Sequence, residues 1–482
     1  MVPSDDPALI DAATDETTSY RRLLNDAAEL ARPLAETRQL VAIFCRNDRF
    51  TATAYAATQQ HDHAALLLDG SKPVAEHAEV LAAYRPDWVA GPGGSAEELV
   101  AAGLAVRERH ELGGGELLGL PGDEAAPLAP ELALLLGTSG TTGSSKYVRL
   151  SRRALEANAD SIAQYLELTP DERPVTSLPW HYSFGLSVLN SHWRAGAAVV
   201  LTSDSVISKS FWEAVEREGC TSLAGVPYTY QLLERVGYRD KDLPALATMQ
   251  QAGGALERSL TATYHEHMRA KGGRFFVMYG QTEAAARMAY VPPARLAEKL
   301  GSAGRAVPGG RLRIEAVQEG GAGPALGADP ATGADPATGE VVYEGPNVML
   351  GYATGRDDLA AGDELGGVLH TGDLGYLDEE GFLFLTGRSK RIAKVFGLRV
   401  NLDEIELQLR EHGPAAAIAG DECVRGYCAF GTDEAMAELR TTLAQRMHVH
   451  PSAFDLRRVA DIPVTSSGKV DYREIEQWDQ GT

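Results

Sequence analysis

A loop of glycine and hydroxyl residues between two apolar segments constrains the fold of this chain more than any other stretch. The run from Leu132 to Leu136 predicts a buried strand, and Val148 to Leu150 predicts a second one. Between them, Gly137 to Gly143 are all glycine, serine or threonine, and Lys146 follows shortly after. Glycines let the backbone N–H groups turn to one side, where hydroxyls and an ammonium add further donors. A flexible linker would rarely lie between two strands and end in lysine, so we predict a polyphosphate-binding loop that differs from the common P-loop.

Length and charge exclude several classes of protein. With 482 residues, of which 44% are hydrophobic and 23% charged, the chain can bury a large core and should hold more than one domain. Its formal net charge of −22 argues against a general binder of nucleic acids or anionic membranes. A nucleic-acid-binding protein driven by ATP is also disfavoured, because the sequence has no basic stripe and no helicase-like Walker motif.

The sequence is typical of a protein of the reducing cytoplasm. Five carboxylates in the first twenty residues argue against a signal or transit peptide, and no apolar run approaches the length of a membrane span. The cysteines form no CxxC pair and lie near no histidine cluster; they are Cys45, Cys220, Cys423 and Cys428. We therefore expect free thiols, a cytoplasmic location and no membrane partner.

Strand-like and helix-like segments alternate through most of the chain. Leu40 to Cys45 and Ala64 to Leu68 read as strands around a helical stretch, and the alternation continues to a strand at Phe275 to Met278. This pattern predicts an α/β fold with doubly wound sheets. Polar or glycine-rich turns follow several strands, and the ends of parallel strands are where such folds bind ligands.

The pattern changes after about Gly301. The segments Arg311 to Val317 and Glu340 to Tyr343 predict a β-rich, more antiparallel subdomain. Between them the short repeat from Gly327 to Gly339 predicts a surface loop. Beyond Arg388 the segments predict a further small α+β unit.

Several polar motifs are ambiguous when each is considered alone. Tyr279 to Glu283 (YGQTE) could cap a helix, His370 to Asp373 (HTGD) could be an ordinary turn, and Thr465 to Lys469 (TSSGK) could be a solvated loop. Together and in order, TSGTTGSSK, AGGAL, YGQTE, HTGD, GRSKRIAKVFG and TSSGK resemble the superfamily of acyl-CoA synthetases, nonribosomal-peptide adenylation domains and firefly luciferases. The resemblance covers nearly the whole chain.

This resemblance implies two domains. A large N-terminal domain, residues 1–387, would contain the doubly wound sheets and the β-rich subdomain. A small, mobile α+β domain, residues 388–482, would carry the catalytic lysine and rotate about a hinge at Lys390.

The resemblance also implies a site for ATP and Mg²⁺. Thr282 would bond the α-phosphate, Glu283 would hold Mg²⁺, and Lys469 would bridge the carboxylate and the α-phosphate, which makes these three the expected catalytic residues. The expected nucleotide contacts are Thr138, Ser139, Gly140, Thr141, Thr142, Gly143 and Lys146 at the outer phosphates, Gly253, Gly254 and Ala255 along the adenine, Tyr279 stacked on it with Gly280 and Gln281 following, and Asp373 with Arg388 at the ribose.

The implied reaction joins a carboxylate to the α-phosphate of ATP, releases pyrophosphate and passes the acyl group to an acceptor. We expect coenzyme A as acceptor, with Gly397 entering the site in the second step. A carrier protein, acting in trans because no carrier segment follows Lys469, or an amine is the alternative, as is activation of a different oxyacid. A non-catalytic nucleotide-binding regulator is a further reading, but Lys469, Glu283 and Asp373 are all present.

The acid is the least constrained part of the prediction. His181, Tyr182 and Phe184 fall in the family's acyl-pocket motif, but the usual histidine lies one position later, at Tyr182. His181 could therefore line the pocket or be part of the core. The aromatic residues favour an aryl or short acid over a long acyl chain, although aromatic side chains are more often plain core. Arg287 could face a substrate carboxylate or the solvent.

Overall fold

The computed structural model describes residues 1–34, 37–121, 127–138, 146–316, 338–388, 391–395, 398–420, 423–446, 450–465 and 468–480. Several expected residues lie outside the described part of the chain: Ser139, Gly140, Thr141, Thr142, Gly143, Lys390, Gly397 and most of the repeat from Gly327 to Gly339.

The elements before the glycine-rich loop are β1 (Pro7–Asp11), β2 (Thr17–Ser19), α1 (Tyr20–Ala31), β3 (Leu40–Cys45), α2 (Arg49–Gln60), β4 (Ala64–Asp69), α3 (Ala78–Tyr84), β5 (Trp88–Pro92), α4 (Ser95–Ala101), β6 (Glu108–Leu112), β7 (Gly115–Gly119) and β8 (Leu132–Gly137). After the loop come β9 (Tyr147–Ser151), α5 (Arg152–Leu166), β10 (Pro174–Val175), α6 (Ser183–Ala195), β11 (Val199–Leu201), α7 (Lys209–Arg217), β12 (Ser222–Gly225), α8 (Pro227–Arg235), β13 (Thr248–Gln251), α9 (Arg258–Ala270), β14 (Arg274–Tyr279), β15 (Ala289–Val291) and β16 (Arg305–Ala306).

The remaining elements are β17 (Arg311–Glu315), β18 (Gly339–Glu344), β19 (Gly351–Ala353), β20 (Val368–Leu377), β21 (Leu383–Arg388), β22 (Ile392–Val395), β23 (Leu398–Asn401), α10 (Leu402–Arg410), β24 (Ala415–Ala419), β25 (Val424–Cys428), α11 (Asp433–Arg446), β26 (Phe454–Arg458) and α12 (Tyr472–Gln480). Within the described part of the chain, no helix has both the length and the apolar character needed to cross a bilayer.

Local sequence explains where the central helices begin. The side chains of Ser19, Asp48, Ser151 and Ser208 each accept a hydrogen bond from a backbone N–H three residues later. These bonds satisfy donors that have no partner inside the helix, so α1, α2, α5 and α7 start at those residues.

Two large mixed sheets confirm the predicted α/β fold. One has the strand order β19-β9-β8-β4-β3-β5-β7-β6, and the other has the order β16-β15-β14-β13-β12-β10-β11-β1-β2. The inner pairs β3–β4, β4–β8, β12–β13 and β13–β14 are parallel, whereas the outer strands pair antiparallel. A single apolar core joins Val41 and Ile43 of the first sheet to Val199 and Leu201 of the second. Residues of α1, α2, α5 and α6 belong to the same core.

The predicted strands around the glycine-rich loop are confirmed. β8 and β9 pair antiparallel, and Gly137 lies opposite Tyr147 at the end of the ladder. The loop between them therefore begins and ends at one point of the sheet. Smaller sheets follow: β17-β18-β20-β21 is antiparallel, as predicted for the β-rich region.

The last hundred residues pack around a core of their own. The three-stranded sheet β24-β25-β26 contributes to this core together with α10 and α11. A buried ion cluster adds polar contacts: Glu406 is 4% exposed and accepts hydrogen bonds from Arg391 (3.1 Å), Tyr472 (2.7 Å) and the backbone N–H of Ala417 (3.0 Å). Arg410 also contacts this carboxylate. Because Tyr472 comes three residues after Lys469, the cluster helps to position that lysine.

We predict that Glu406→Ala lowers the free energy of unfolding by about 3 kcal/mol, because it leaves the Arg391 guanidinium buried without its main counter-charge. Urea unfolding measures the change, with Glu438→Ala on the exposed face of α11 as the control. Equal midpoints for the two variants would show that the cluster does not stabilise this region.

Candidate active site

Three parallel strands end at the floor of a cleft. Strands β12, β13 and β14 run in register, so the turns that follow β13 and β14 emerge side by side. The cleft is lined by Tyr182, Ser183, Phe184, Ala252, Gly253, Tyr279, Gly280, Gln281, Thr282, Ala286, Arg287 and Lys469. Most of these residues come from the motifs that the sequence singled out, which the fold brings together from four separate parts of the chain.

Two glycines are needed where the chain passes closest to the cleft. Gly253 has φ +84°, and a Cβ placed there would lie 2.5 Å from the Tyr182 hydroxyl. A Cβ at Gly280 would lie 1.6 Å from the carbonyl oxygen of Ala286. The amide of Gln251 donates to the carbonyl of Gly254 at 2.8 Å and fixes the turn after β13. Glycine at positions 253 and 280 therefore keeps the cleft open, because the side chain of any larger residue would clash with its surroundings.

A buried carboxylate holds two of the residues that line the cleft. Asp373 is 4% exposed, and its Oδ2 accepts hydrogen bonds from the Tyr279 hydroxyl and from Gln281 Nε2 at 2.7 Å. Arg388 lies opposite Asp373 in the β20–β21 ladder and donates from Nε to Oδ1 at 2.9 Å. Burial, together with the negative charge of Asp373, raises the pKa of Tyr279 well above its usual value. Tyr279 therefore stays a neutral phenol that donates to the carboxylate.

A second acidic group lies on the side of the glycine-rich loop. The Tyr352 hydroxyl donates to Glu283 Oε1 at 2.9 Å, and Lys146 Nζ lies 3.3 Å from the centre of the Tyr352 ring. Burial, with Glu283 nearby, raises the pKa of this tyrosine. Thr282 Oγ1 lies 3.1 Å from the hydroxyl of Ser183 at the start of α6. The lysine that ends the loop, a hydroxyl and a carboxylate thus meet on one side of the cleft.

A metal ion of the Mg²⁺ type fits this donor set. Glu283 offers hard carboxylate oxygens, and Mg²⁺ is usually held by one or two carboxylates together with substrate phosphates rather than by a full protein cage. Among the described residues, no cluster of three or more metal-ligating side chains occurs. The arrangement therefore suits an ion that arrives with a polyphosphate.

Lys469 enters the cleft from the C-terminal region. The backbone N–H of Gly468 donates to the carbonyl of Thr465 at 2.8 Å, and this turn directs the lysine inward. Its Nζ lies 5.1 Å from the centre of the Tyr182 ring. Burial and the positive charge of Arg388 lower the pKa of Lys469 to about 8, although Glu283 and Asp373 oppose the shift. The ammonium is thus held among apolar and charged groups where a bound anion would relieve its desolvation.

The other expected contacts lie around this cleft or beside it. Thr138 follows β8 directly, at the start of the loop. Gly254 and Ala255 are exposed next to Gly253. Tyr182 and Phe184 line the cleft, with ring centres 6.4 Å apart. His181 lies away from the residues that line it, with Nε2 3.7 Å from Asp69 Oδ2.

Two features of the site were missed or left open by the sequence. Tyr352 reaches Glu283 only because β19 pairs with β9, which places it opposite Val148. No local pattern signals a contact between residues so far apart in the chain. Arg287 is 1% exposed, so the alternative that it faces the solvent is wrong.

Comparison with known proteins gives a consistent result. A family described as AMP-binding enzyme matches residues 2–353. The chain is 29% identical to the sulfoacetate–CoA ligase of Cupriavidus necator over 97% of this chain and 93% of that protein. It is 32% identical to the indoleacetate–CoA ligase of Aromatoleum aromaticum over 61% of this chain and 56% of that protein, so this match spans little more than half of the relative.

Solved structures share the fold. The O-succinylbenzoate coenzyme A synthetase of Bacillus subtilis, in complex with ATP and magnesium ion, superposes with a TM-score of 0.72 at 23% identity over 97% of this chain and 95% of that chain. An anthranilate CoA ligase in complex with anthranoyl-AMP gives a TM-score of 0.77 at 18% identity over 99% and 94% of the two chains.

We predict that Gly280→Ala weakens ATP binding by roughly 10- to 100-fold, because overpacking of this kind costs about 1–3 kcal/mol. The added methyl group would displace the turn between β14 and Thr282. Isothermal titration with ATP and Mg²⁺ measures the change. The control is Gly362→Ala, where a Cβ meets nothing within 4 Å. An unchanged affinity in Gly280→Ala would mean that this turn does not shape the nucleotide site.

Proposed function

The chain belongs to the AMP-binding enzyme family, and from this premise we propose how its cleft works. The protein is a ligase that uses ATP to convert a carboxylic acid into an acyl adenylate and then transfers the acyl group to coenzyme A. The observation that carries this proposal is the meeting of Lys469 and Thr282 at one cleft, with the carboxylates of Glu283 and Asp373 near enough to act on the charge of the lysine. Such a reaction needs a cation, a hydroxyl group and a carboxylate that can hold a metal ion.

The nucleotide would extend between the two carboxylates. Asp373 accepts hydrogen bonds from the ribose hydroxyls, with Arg388 beside it, and Tyr279 lies against the adenine. The turn of Gly253, Gly254 and Ala255 follows the base. The outer phosphates then reach the loop that starts at Thr138 and ends at Lys146. The position of Lys146 over Tyr352, which itself bonds Glu283, supports this orientation.

In the first step a carboxylate oxygen of the acid attacks the α-phosphorus. The bond from that phosphorus to the bridging oxygen breaks, and pyrophosphate leaves. Mg²⁺, when bound at Glu283, neutralises phosphate charge. Thr282 donates to an α-phosphate oxygen, and Lys469 lies between the two anions, where its charge lowers their repulsion as they approach.

In the second step the thiol of coenzyme A attacks the acyl carbon, and AMP leaves with one of the carboxylate oxygens. Lys469 occupies the cleft in the structure, so the thiol needs the lysine to withdraw. We propose that residues 388–482 move as a unit about Lys390 between the steps, and that Gly397 then enters the site. A flexible lysine on a separate small core suits such alternation.

The pocket favours an aryl or short acid. Tyr182 and Phe184 line the cleft next to Lys469, and their rings meet edge to face, so a long acyl chain would have to displace them. The relatives support this class, since their names give sulfoacetate and indoleacetate as acids. The cysteines, which form no disulfide with one another, and the two nucleotide substrates fit a cytoplasmic reaction.

A pyrophosphate-exchange assay tests the function. Labelled pyrophosphate should enter ATP only when an acid of the right class is present, across a panel of aryl, short-chain and long-chain acids. Thioester should then form only when coenzyme A is added. Lys469→Ala should cut the exchange by roughly 100-fold or more, since it removes a charge that acts in the transition state, while ATP binding survives. Exchange that is independent of every acid, or undiminished in this variant, would contradict the proposal.

The pKa of Lys469 gives a second prediction. Because the ammonium is the active form, kcat/KM for ATP in the exchange reaction should fall as pH rises through about 8, the pKa of this group in the free enzyme. In Lys469→Arg the guanidinium does not titrate in this range, so whatever rate remains should not show that fall. A wild-type profile that stays flat to pH 9, or the same fall in the variant, would contradict the assignment.

A further inference from the structure

Arg287 is a buried cation at the acid pocket. It is 1% exposed, and its guanidinium carbon lies 5.0 Å from the centre of the Phe184 ring, on which it stacks. No Asp or Glu of the described residues lies within 4.0 Å of its side chain. A charge buried without a counter-ion is costly, and such a residue rarely persists without a reason.

The guanidinium is fixed by neutral groups that leave one of its ends open. Nε donates to Ser187 Oγ at 3.1 Å, and Nη1 donates to the Tyr165 hydroxyl and to Gln250 Oε1, both at 3.0 Å. Nη2 has no hydrogen-bond acceptor among the described residues, and neither has the amide Nε2 of Gln250, a residue with no exposed surface. Two adjacent side chains therefore each offer a buried donor, and unpaired buried donors are rare in proteins.

The backbone is strained so that Arg287 points inward. Ala285 has φ +53° and Ala286 has φ +130°, in a region that residues with a Cβ seldom adopt. The carbonyl of Arg287 accepts hydrogen bonds from the amides of Asn158 (2.9 Å) and Asn347 (3.2 Å), which hold this turn in place. Strain that is held by surrounding contacts is typical of functional sites rather than of plain core.

A series of side-chain contacts connects Arg287 to the end of the pocket where the acid would react. Lys469 lies against the Tyr182 ring, Tyr182 meets Phe184, and Arg287 lies against Phe184. Arg287 and its neighbour Ala286 are both among the residues that line the cleft. An acid whose reacting carboxylate lies at Lys469 would therefore extend past the two rings toward the guanidinium.

The histidine beside Arg287 does not add a second charge at this end of the cleft. His192 is fully buried nearby, and burial together with the charge of Arg287 lowers its pKa to about 4, so its imidazole is neutral at pH 7. Its Nδ1 bonds the carbonyl of Val188 at 2.8 Å. Arg287 is thus, besides Lys469, the cation that an anionic group in this pocket would meet.

We propose that the acid activated by this enzyme carries a second anionic group, a carboxylate or a sulfonate, which Arg287 Nη2 and Gln250 Nε2 bind at the end of the pocket away from Lys469. This inference rests on the proposed function, because it names the acid that the same cleft takes. A guanidinium N–H and an amide N–H in neighbouring side chains suit the oxygens of such a group. A substrate that lacks this group leaves both donors unpaired. Arg287 is therefore a specificity-determining residue.

Matched pairs of acids test the proposal in the pyrophosphate-exchange assay. Each pair consists of a short or aromatic acid with a second carboxylate or sulfonate and the same acid with a methyl group or carboxamide in its place. The wild type should favour the dianion of the best pair by roughly 100-fold in kcat/KM, the range expected when a charged hydrogen bond is lost. In Arg287→Met this preference should disappear, mainly through KM, and Arg287→Lys should restore part of it.

A neighbouring arginine provides the control. Arg305 stacks on Tyr290, which in turn stacks on Tyr165, but its side chain is exposed. Arg305→Met removes a charge from the same aromatic group and should leave the preference of the wild type intact. Thermal unfolding of all the variants separates a folding defect from a change in specificity.

The outcomes are distinct. Exchange by the wild type that is equal for both members of every pair, or greater with the monoanions, overturns the proposal and leaves the ligase function standing. A preference for dianions that survives in Arg287→Met assigns the arginine a purely structural role and also overturns it. Absence of exchange with all acids contradicts the ligase function itself.

Discussion

The buried carboxylate of Asp373 connects the end of β14 and the turn after it to the β20–β21 ladder, two parts of the structure that are far apart in the sequence. It accepts hydrogen bonds from Tyr279 at the end of β14, from Gln281 in the next turn, and from Arg388 at the end of β21. A carboxylate that is 4% exposed is tolerated only with such donors, so its burial depends on these two parts coming together. The same contacts hold the Tyr279 ring and the turn before Thr282 beside the end of β21. The proposed nucleotide site therefore depends on a buried charge that its neighbours must pair.

Lys469 is a buried cation in the same region of the structure. It lies near Tyr182, Arg388 and two carboxylates, and burial together with the charge of Arg388 lowers its pKa to about 8. An acid and a phosphate would supply the negative charge that this site lacks, which couples the position of the lysine to the presence of substrates. The ion cluster at Glu406 holds the segment after Lys469 to the small core of the C-terminal region. A group held in this way can act in one step and withdraw for the next when the whole region moves.

Much of this could be predicted from sequence because the relevant signals are local. The apolar runs on either side of the glycine-rich loop predicted β8 and β9, and the order of six motifs predicted the family, which the comparison confirms. Contacts set by strand pairing and side-chain direction could not be predicted. Tyr352 meets Glu283 through a pairing of distant strands, and His181 lies beside Asp69 although its motif belongs to the acyl pocket. Arg287 carries a sequence signal only in its nearness to YGQTE, and its burial depends on α5, α6 and β13 packing around it.

The route taken by one oxygen atom tests the central claim most directly. The acid selected by the exchange assay is labelled with ¹⁸O in its carboxylate and turned over with ATP, Mg²⁺ and coenzyme A, and the products are analysed by mass spectrometry. If the acid attacks the α-phosphorus in this cleft, one labelled oxygen must leave in AMP, and none should appear in pyrophosphate. Label found in inorganic phosphate, with ADP as the other product, would mean attack at the γ-phosphate and would contradict the roles given to Thr282 and Lys469.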